Sequence, residues 1–347
     1  MIKQIIDFPK LNFSLRKSRR FLTLLLTLLW LPCVPSLHGQ ASPHQSIEAQ
    51  NTHEEEEEEE EQGATALEPG NPIEREISDG HTQRYLIKAS AGQFIGVTIQ
   101  QLGIDVAAEL LGTDNTLIAD YDGEIRNQGT EDIAFVAETT NMYTLAIKAK
   151  LKNAPTGRYQ IRVMEMRAAT NNDRSLQEAR KLETRFVRLH NAGKYDEARP
   201  LIERALATAE KVLGADDVYV ARLTARLADS YHAKIDYAKA KLLYERALAI
   251  LEKELGPEHP QTALVTNRLG NVCHGTNEVA KADKLLNRAL EMSEKTLGPE
   301  HPQVALCLTN LGQLHDNRGD AAMAEQLYQR ALTITEKLLE QTGCCSL

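Results

Sequence analysis

The second half of the chain repeats itself every 42 residues, and this period limits the fold more than any other feature of the sequence. An Arg-Ala-Leu triplet, a Leu-Gly pair and a single alanine all recur at that interval. The triplets begin at Arg204, Arg246, Arg288 and Arg330, the pairs at Leu213, Leu255 and Leu297, and the alanines are Ala198, Ala240, Ala282 and Ala324. Three landmarks with one interval are very unlikely by chance, so this half is a linear array of similar units.

Each unit of the array reads as two helices. In the third unit Leu264, Leu269 and Val272 have the spacing of one helix face, and an apolar series that begins at Val279 has the spacing of a second. Gly-Pro pairs at 256–257 and 298–299 end one helix, and a His-Pro pair opens the next, because proline is tolerated in the first helical turn. The recurring alanines then lie where two helices cross closely.

The segments DYAKAKLLYERALAILEKELGPEHP and GDAAMAEQLYQRALTITEKLLE resemble tetratricopeptide repeats of the 42-residue kinesin-light-chain-like kind. The resemblance covers residues 174–340 and implies four helix pairs. Leucine and then a small residue occupy the matching positions of the first helices, at Leu227 and Ala228, Leu269 and Gly270, and Leu311 and Gly312. Repeat one departs from the pattern, because Arg185 stands where the leucine belongs. An atypical terminal repeat is expected in such arrays.

Residues 70–168 have the pattern of a small β domain, with short segments rich in β-branched and aromatic residues between turn signals. Their alternating polarity predicts antiparallel sheets with one buried face. The expected strands are 73–77, 83–88, 94–100, 106–111, 117–121, 132–137, 143–149 and 159–164. The string GQFIGVTIQQLGIDVAAELLGTDNTLIADYDG, with the closing APTGRYQIRV, resembles the bacterial pre-peptidase C-terminal (PPC-like) sandwich, an accessory module of exported proteins. The predicted fold is therefore an all-β jelly-roll-like sandwich followed by an all-α tetratricopeptide solenoid.

The remaining segments predict export and spacing. Lys17, Arg19 and Arg20 precede the apolar run FLTLLLTLLWL, so residues 1–41 read as a secretory signal, with an uncleaved anchor as the alternative. We expect a periplasmic or secreted bacterial protein. Residues 42–69, with eight consecutive glutamates at 54–61, predict a disordered acidic linker. Residues 341–347 form a tail. Residues 168–174 are polar, so the two domains are expected to fold independently.

Composition and motifs argue against several function classes. The net charge is −9 and no segment forms a basic domain, so nucleic-acid binding is not expected. Known nucleophile, metal-protease, phosphate-loop and Cys-x-x-Cys motifs are absent, and no catalytic residue, cofactor or metal site is predicted. His259 and His301 recur as connector residues, while Cys273 and Cys307 read as packed core thiols.

The resemblance to tetratricopeptide repeats implies a protein-binding scaffold that holds a peptide or protein on the face formed by the first helix of each repeat. Asparagine, glutamine and arginine suit this role because they offer several donors to a peptide backbone or carboxylate. The residues carried over by position are Arg222, Arg226, Asp229, His232, Asn267, Arg268, Asn271, His274, Thr309, Asn310, Gln313, Asp316 and Asn317.

Two further expectations come from the end of the sequence. Exported proteins with a PPC-like domain and such repeats often continue into a caspase-like CHAT peptidase domain. The alternative function is therefore a truncated remnant of a CHAT-type system with a structural or dimerising role. The last helix carries apolar residues with no following repeat to cover them, so homodimers through that helix are expected, with help from Cys344 or Cys345. These residues are Met323, Leu327, Ala331, Ile334 and Leu338.

Overall fold

A computed structural model describes residues 64–112, 115–121, 128–150 and 156–340. The predicted signal, residues 42–63 of the predicted acidic linker and the C-terminal tail lie outside the described residues. The described chain begins with two β-sheets and continues with eight helices in repeated pairs, which confirms the predicted order of a β domain followed by an α-helical array.

Nine strands form the two sheets of the described β domain. They are β1 (Thr65–Ala66), β2 (Ile73–Ile77), β3 (Thr82–Ala89), β4 (Gln93–Leu102), β5 (Val106–Leu111), β6 (Leu117–Tyr121), β7 (Gln128–Val136), β8 (Asn141–Ala149) and β9 (Gly157–Ala168). The five-stranded sheet has the order β1-β3-β8-β5-β6 and the four-stranded sheet the order β2-β9-β4-β7. Alternate residues are buried in several of the strands, as in β5, where Val106, Ala108 and Leu110 are buried.

Two details of the sheets differ from the sequence-based expectation. β1 pairs with β3 in parallel, although all pairings were expected to be antiparallel. β1 also lies in the segment predicted as linker, and Pro69 bridges to Val163, so the sandwich includes residues before position 70. β7 begins at Gln128 instead of Asp132, because the polar residues from Gln128 to Glu131 pair with β4 although they carry no alternating apolar pattern.

Eight helices follow in four pairs. They are α1 (Asn171–Asn191), α2 (Tyr195–Leu213), α3 (Val218–Ala233), α4 (Tyr237–Glu254), α5 (Pro260–Gly275), α6 (Val279–Leu297), α7 (Pro302–Asn317) and α8 (Ala321–Glu340). Each first helix packs on its own second helix, and each second helix packs on the next first helix. No helix in the described part of the chain is long and apolar enough to cross a membrane.

The Gly-Pro-Glu-His-Pro connector gives each junction between repeats its geometry. Gly256 and Gly298 adopt φ values of 90° and 86°, a left-handed conformation that glycine reaches without steric cost. His259 and His301 then cap the next helix, because each Nδ1 accepts a hydrogen bond from the backbone N–H two residues on, at 3.2 Å and 3.1 Å. In the second repeat Asp217 performs the same role.

Small residues allow the two helices of a repeat to approach closely. Ala240 and Ala282 are fully buried, as their recurrence predicts. A Cβ atom on Gly270 would lie 2.8 Å from Leu286 Cγ, and one on Gly312 would lie 2.7 Å from Tyr328 Cε1. These distances are shorter than normal carbon contacts, so the glycines of repeats three and four are required by packing.

The first helix is joined directly to the sandwich. Only Ala169 and Thr170 separate β9 from α1, and Thr170 forms a capping box with Asp173. Asp173 also accepts hydrogen bonds from Arg167 of β9, at 2.5 Å and 3.1 Å. The polar boundary at 168–174 is therefore an ordered junction and provides no free linker between the two domains.

The last helix hides most of the apolar residues that were expected to form an open end. Ala331 and Ile334 are buried, and Leu327 and Leu338 pack half-buried against the residues of α7. Met323 remains, with 41% of its surface exposed. Dimerisation through this helix stays a prediction, with Met323 as its most exposed described apolar residue, and Cys344 and Cys345 lie outside the described residues.

Candidate functional site

The surface formed by α1, α3, α5 and α7, called here the first-helix face, carries the predicted binding residues. Polar side chains on neighbouring first helices meet across this face at sequence separations of 39 or 43 residues, as expected for successive repeats. Most of the predicted residues take part in these pairs. The structure therefore brings them into one continuous polar row.

The row begins with a carboxylate that the sequence analysis did not select. Glu183 of α1 is buried and accepts a hydrogen bond from Arg226 Nε at 2.6 Å, while Arg222 Nε lies 3.4 Å away. Burial alone would raise the pKa of Glu183, but the charges of Arg222 and Arg226 lower it overall. Glu183 was missed because repeat one departs from the repeat pattern. Its role depends on its ion pairs with Arg222 and Arg226 of repeat two.

The next link joins repeats two and three. Asp229 accepts a hydrogen bond from Arg268 Nη1 at 2.6 Å and another from the Tyr244 hydroxyl at 2.5 Å. Burial and the Asp229 charge hold the pKa of Tyr244 well above its ordinary value, so the hydroxyl stays protonated and donates. Arg222, Arg226 and Arg268 thus already have carboxylate partners within the chain.

Amide side chains continue the row into repeat four. Asn310 Nδ2 donates to Asn267 Oδ1 at 3.2 Å, and Asn271 Nδ2 lies 3.5 Å from Asn310 Oδ1. Asn267 is fully buried, so it holds helices together beneath the surface. Asn271 is only half-buried and retains donors that a ligand could use.

Two histidines, His232 and His274, lie near the C-terminal ends of α3 and α5. His274 Nε2 lies 2.7 Å from Asn317 Nδ2, and His232 packs against the Tyr237 ring with centroids 5.6 Å apart. Burial lowers the pKa of both imidazoles. Both rings are therefore neutral at pH 7 and each nitrogen can serve as donor or acceptor according to its tautomer.

Repeat four offers the polar groups that are least engaged. Thr309 donates to the Ala305 carbonyl of its own helix at 2.8 Å. The side chains of Gln313 and Asp316 are half-buried, and among the residues that the structure describes they have no hydrogen-bond partner. Accessible donors and acceptors on the first-helix face are thus concentrated in repeats three and four, whereas the arginines of repeats two and three are neutralised by internal carboxylates.

Comparison with known proteins identifies the repeats. The tetratricopeptide repeat family model matches residues 187–253, 236–295 and 261–337. The eight helices form a helical repeat of the tetratricopeptide type. The first helix, residues 171–191, lies mostly before the first matched segment, in agreement with the departure of repeat one from the pattern. Tetratricopeptide repeats support a role as a protein–protein interaction scaffold.

Solved structures similar to the array include two kinesin-light-chain-like proteins. BtubC (BKLC) from P. vanneervenii is 24% identical, with a TM-score of 0.41 over 48% of this chain and 72% of that chain. A putative kinesin light chain from Podosopora anserina, with nearly identical TPR-like repeats, is 23% identical, with a TM-score of 0.38 over 49% of this chain and 79% of that chain.

A further solved structure matches a smaller share of the chain. The pre-peptidase C-terminal domain of collagenase from Bacillus anthracis is 18% identical, with a TM-score of 0.25 over 29% of this chain and 94% of that chain. A search of curated proteins finds no match to the chain.

Proposed function

We propose that this chain is an exported, non-enzymatic scaffold that binds a peptide or protein partner on the first-helix face of its repeat array. The accessible polar groups of repeats three and four carry the proposal. Four half-buried side chains lie at matching positions of α5 and α7: Asn271 corresponds to Gln313, and His274 corresponds to Asp316. Gln313 and Asp316 have no hydrogen-bond partner among the described residues, and Asn271 and His274 make only the contacts given above.

These groups suit a peptide backbone better than a charged small molecule. An extended or helical peptide presents N–H and C=O groups at regular spacing, and amide side chains can satisfy both kinds of group. The arginines contribute less, because displacing Glu183 or Asp229 from them would leave a buried or half-buried carboxylate without its partner. The proposed ligand segment is therefore largely neutral where it contacts repeats three and four.

A photo-crosslinking experiment tests this placement. A photoreactive amino acid in place of Gln313 should capture the partner from the exported fraction of the native cell, whereas the same group in place of Gln326, exposed on α8, should not. With the purified partner, the Asn271→Ala and Gln313→Ala double variant should bind about tenfold more weakly, as expected for the loss of one or two hydrogen bonds.

The matched control is the Gln326→Ala and Gln329→Ala double variant, which changes two exposed amides on the last helix. Unchanged affinity is expected there, together with unchanged melting temperatures for both double variants. Equal affinity of the groove variant and the control would place the partner elsewhere on the molecule.

Export is proposed on the basis of residues 1–41. Mass spectrometry of the exported protein should find a mature start near Ser42, and an intact Met1 in the cytosol would refute the proposal. The role as a CHAT-system remnant stays a prediction that none of the described residues bears on.

A further inference from the structure

β7 is an edge strand of the four-stranded sheet, so among the described strands only β4 pairs with it. Its inner side pairs with β4, and the bond from Ala137 N–H to the Gln93 carbonyl places the hydrogen-bonded pairs at the odd-numbered residues of β7. The N–H and C=O groups of residues 130, 132, 134 and 136 therefore point outward, away from β4.

The first helix of the array covers one half of this edge. The Gln177 side chain accepts a hydrogen bond from Val136 N–H and donates to the Val136 carbonyl at 3.0 Å, as the backbone of an added strand would. Arg180 Nη1 and the Tyr121 hydroxyl both donate to the Ala134 carbonyl, each at 2.7 Å. These contacts show that the outward groups near Val136 are used as hydrogen-bonding positions.

The other half of the edge is open. Thr130 and Asp132 are exposed, and within the described part of the chain their outward N–H and C=O groups have no hydrogen-bond partner. β7 has nine residues, whereas the other edge strands β1, β2 and β6 have two, five and five. A long strand with free outward groups is a template for pairing with another chain.

We propose that the open half of β7 binds an extended peptide of about five residues, which adds to the four-stranded sheet as a new edge strand. This site is separate from the proposed groove in repeats three and four. The outward groups of Thr130 and Asp132 supply the backbone pairing. Arg180 and Tyr121 mark one end of the site, because they already bind the carbonyl of Ala134, the next outward position along the edge.

The charge of Asp132 favours a peptide with a basic residue opposite it. The Asp132 carboxylate is exposed and accepts a hydrogen bond from Thr98 Oγ1 at 2.8 Å on the outer surface of the sheet. A residue directly opposite Asp132 in an added strand would place its side chain beside this carboxylate, and opposite charges in such pairs are favourable. The structure therefore fits a peptide with lysine or arginine at that position and β-branched neighbours.

A short peptide fits this edge better than a second copy of the chain. The β7 strand of another copy would carry its own α1, which is fixed to Val136 and Ala134 by Gln177 and Arg180. Two such strands would pair only over their open halves before each met the partner's helix. A free peptide of about five residues meets no such obstacle.

The test is a titration of the full chain with a capped peptide of sequence TVKVT. Binding is monitored through the amide NMR signals of Thr130 and Asp132. Both signals should shift, with a Kd below about 1 mM. The Asp132→Ala variant keeps the backbone N–H and should bind about threefold more weakly. The Asp132→Pro variant lacks the N–H and should bind at least about tenfold more weakly than Asp132→Ala. Proline at this outward position removes no hydrogen bond to β4.

Backbone methylation of the peptide provides the matched control. N-methylation of its lysine, which faces β7, should abolish binding, whereas N-methylation of the following valine, which faces away, should not. The Asn271→Ala and Gln313→Ala variant should bind TVKVT normally, so failure here is distinct from failure of the proposed groove.

Three results would overturn the proposal. They are unshifted Thr130 and Asp132 signals at about 5 mM peptide, equal affinity for the alanine and proline variants, and self-association of the full chain that Asp132→Pro abolishes. The last result would identify a second copy as the occupant of the edge.

Discussion

Single residues in the repeats show where the array stores strain. The turn between the two helices of each repeat needs one residue with positive φ. This residue is Gly193 in repeat one, Ile235 in repeat two, Asn277 in repeat three and Gly319 in repeat four. Ile235 has φ of 63° and is 66% exposed, so a β-branched side chain adopts the left-handed conformation without gaining burial.

Replacement of Ile235 by glycine should therefore stabilise the protein. Occupying the left-handed region costs a non-glycine residue about 1–2 kcal/mol, and the greater freedom of glycine in the unfolded chain offsets about 0.5–1 kcal/mol of the gain from relieving this cost. We expect Ile235→Gly to raise the free energy of unfolding by about 0.5–1 kcal/mol in urea titrations. The reciprocal change Gly319→Ile should lower it by about the same amount. A destabilised Ile235→Gly variant would show that Ile235 makes a contact that the exposed fraction does not reveal.

His301 links the array to pH. It caps α7 through its unprotonated Nδ1, and burial, with a smaller effect from the Lys150 charge, lowers its pKa from 6.5 to about 4. Between these values the unfolded chain binds a proton that the folded chain does not bind. The contribution of His301 to the free energy of unfolding is therefore fully present above pH 6.5. It is lost as the pH drops towards 4, by about 3 kcal/mol at most.

The variant His301→Asp should flatten this dependence. Aspartate caps the corresponding helix of repeat two, where Asp217 accepts the Tyr219 N–H at 2.7 Å. Urea unfolding of both proteins between pH 7 and pH 4.5 measures the difference. A variant that loses stability over this range as steeply as the parent protein would mean that other groups determine the acid sensitivity.

At the level of elements, the sequence predicted most of what depends on local pattern. The 42-residue period predicted the helix pairs, and the recurring Arg of the triplet is explained by ion pairs between successive second helices. Arg246, Arg288 and Arg330 contact the glutamates that lie 36 residues earlier, Glu210, Glu252 and Glu294. Such half-exposed pairs each contribute little stability.

Contacts between elements far apart in sequence were not predictable in this way. Gln177 occupies an unremarkable position in a polar helix, and its partner Val136 belongs to a strand whose first half has no apolar alternation. The pairing depends on how α1 lies against β7, which no local pattern encodes. The same limit applies to Glu183, which lies in the atypical first repeat and whose arginine partners belong to the next repeat.

The Gln177 contact predicts a measurable loss. Gln177→Ala removes two hydrogen bonds and leaves a buried backbone N–H and C=O at Val136 without partners, so we expect the free energy of unfolding to fall by about 1–3 kcal/mol. The Val136 amide should also exchange its hydrogen faster. Glu178→Ala, at the exposed neighbouring position, is the control and should change neither quantity. Equal exchange at Val136 in both variants would mean that the contact does not protect the edge of β7.

At the scale of the whole molecule, the sandwich and the array are joined by contacts beyond their covalent junction. Gln177, Arg180 and Lys181 of α1 bind Val136, Ala134 and Glu138 of the sandwich. Arg180 also lies 5.8 Å from the Tyr219 ring centroid at the start of α3, and Lys150 at the end of the described β8 segment is close enough to His301 to influence its pKa. The contacts thus involve more than the first repeat, which argues against two domains that move independently.

Insertion of a flexible ten-residue glycine-serine segment between Ala169 and Thr170 tests whether non-covalent contacts hold the sandwich against the array, or whether only the covalent junction does. Such a segment has a root-mean-square length of about 16–19 Å, enough to separate the domains if only the chain joined them. Because the non-covalent contacts remain, we expect the radius of gyration from X-ray scattering to change by no more than about 1 Å. The same insertion combined with Gln177→Ala, Arg180→Ala and Lys181→Ala should expand the molecule by several times that amount, since the side chains that bind β7 are gone. Equal expansion of both inserted proteins would show that the two-residue junction alone keeps the sandwich against the array.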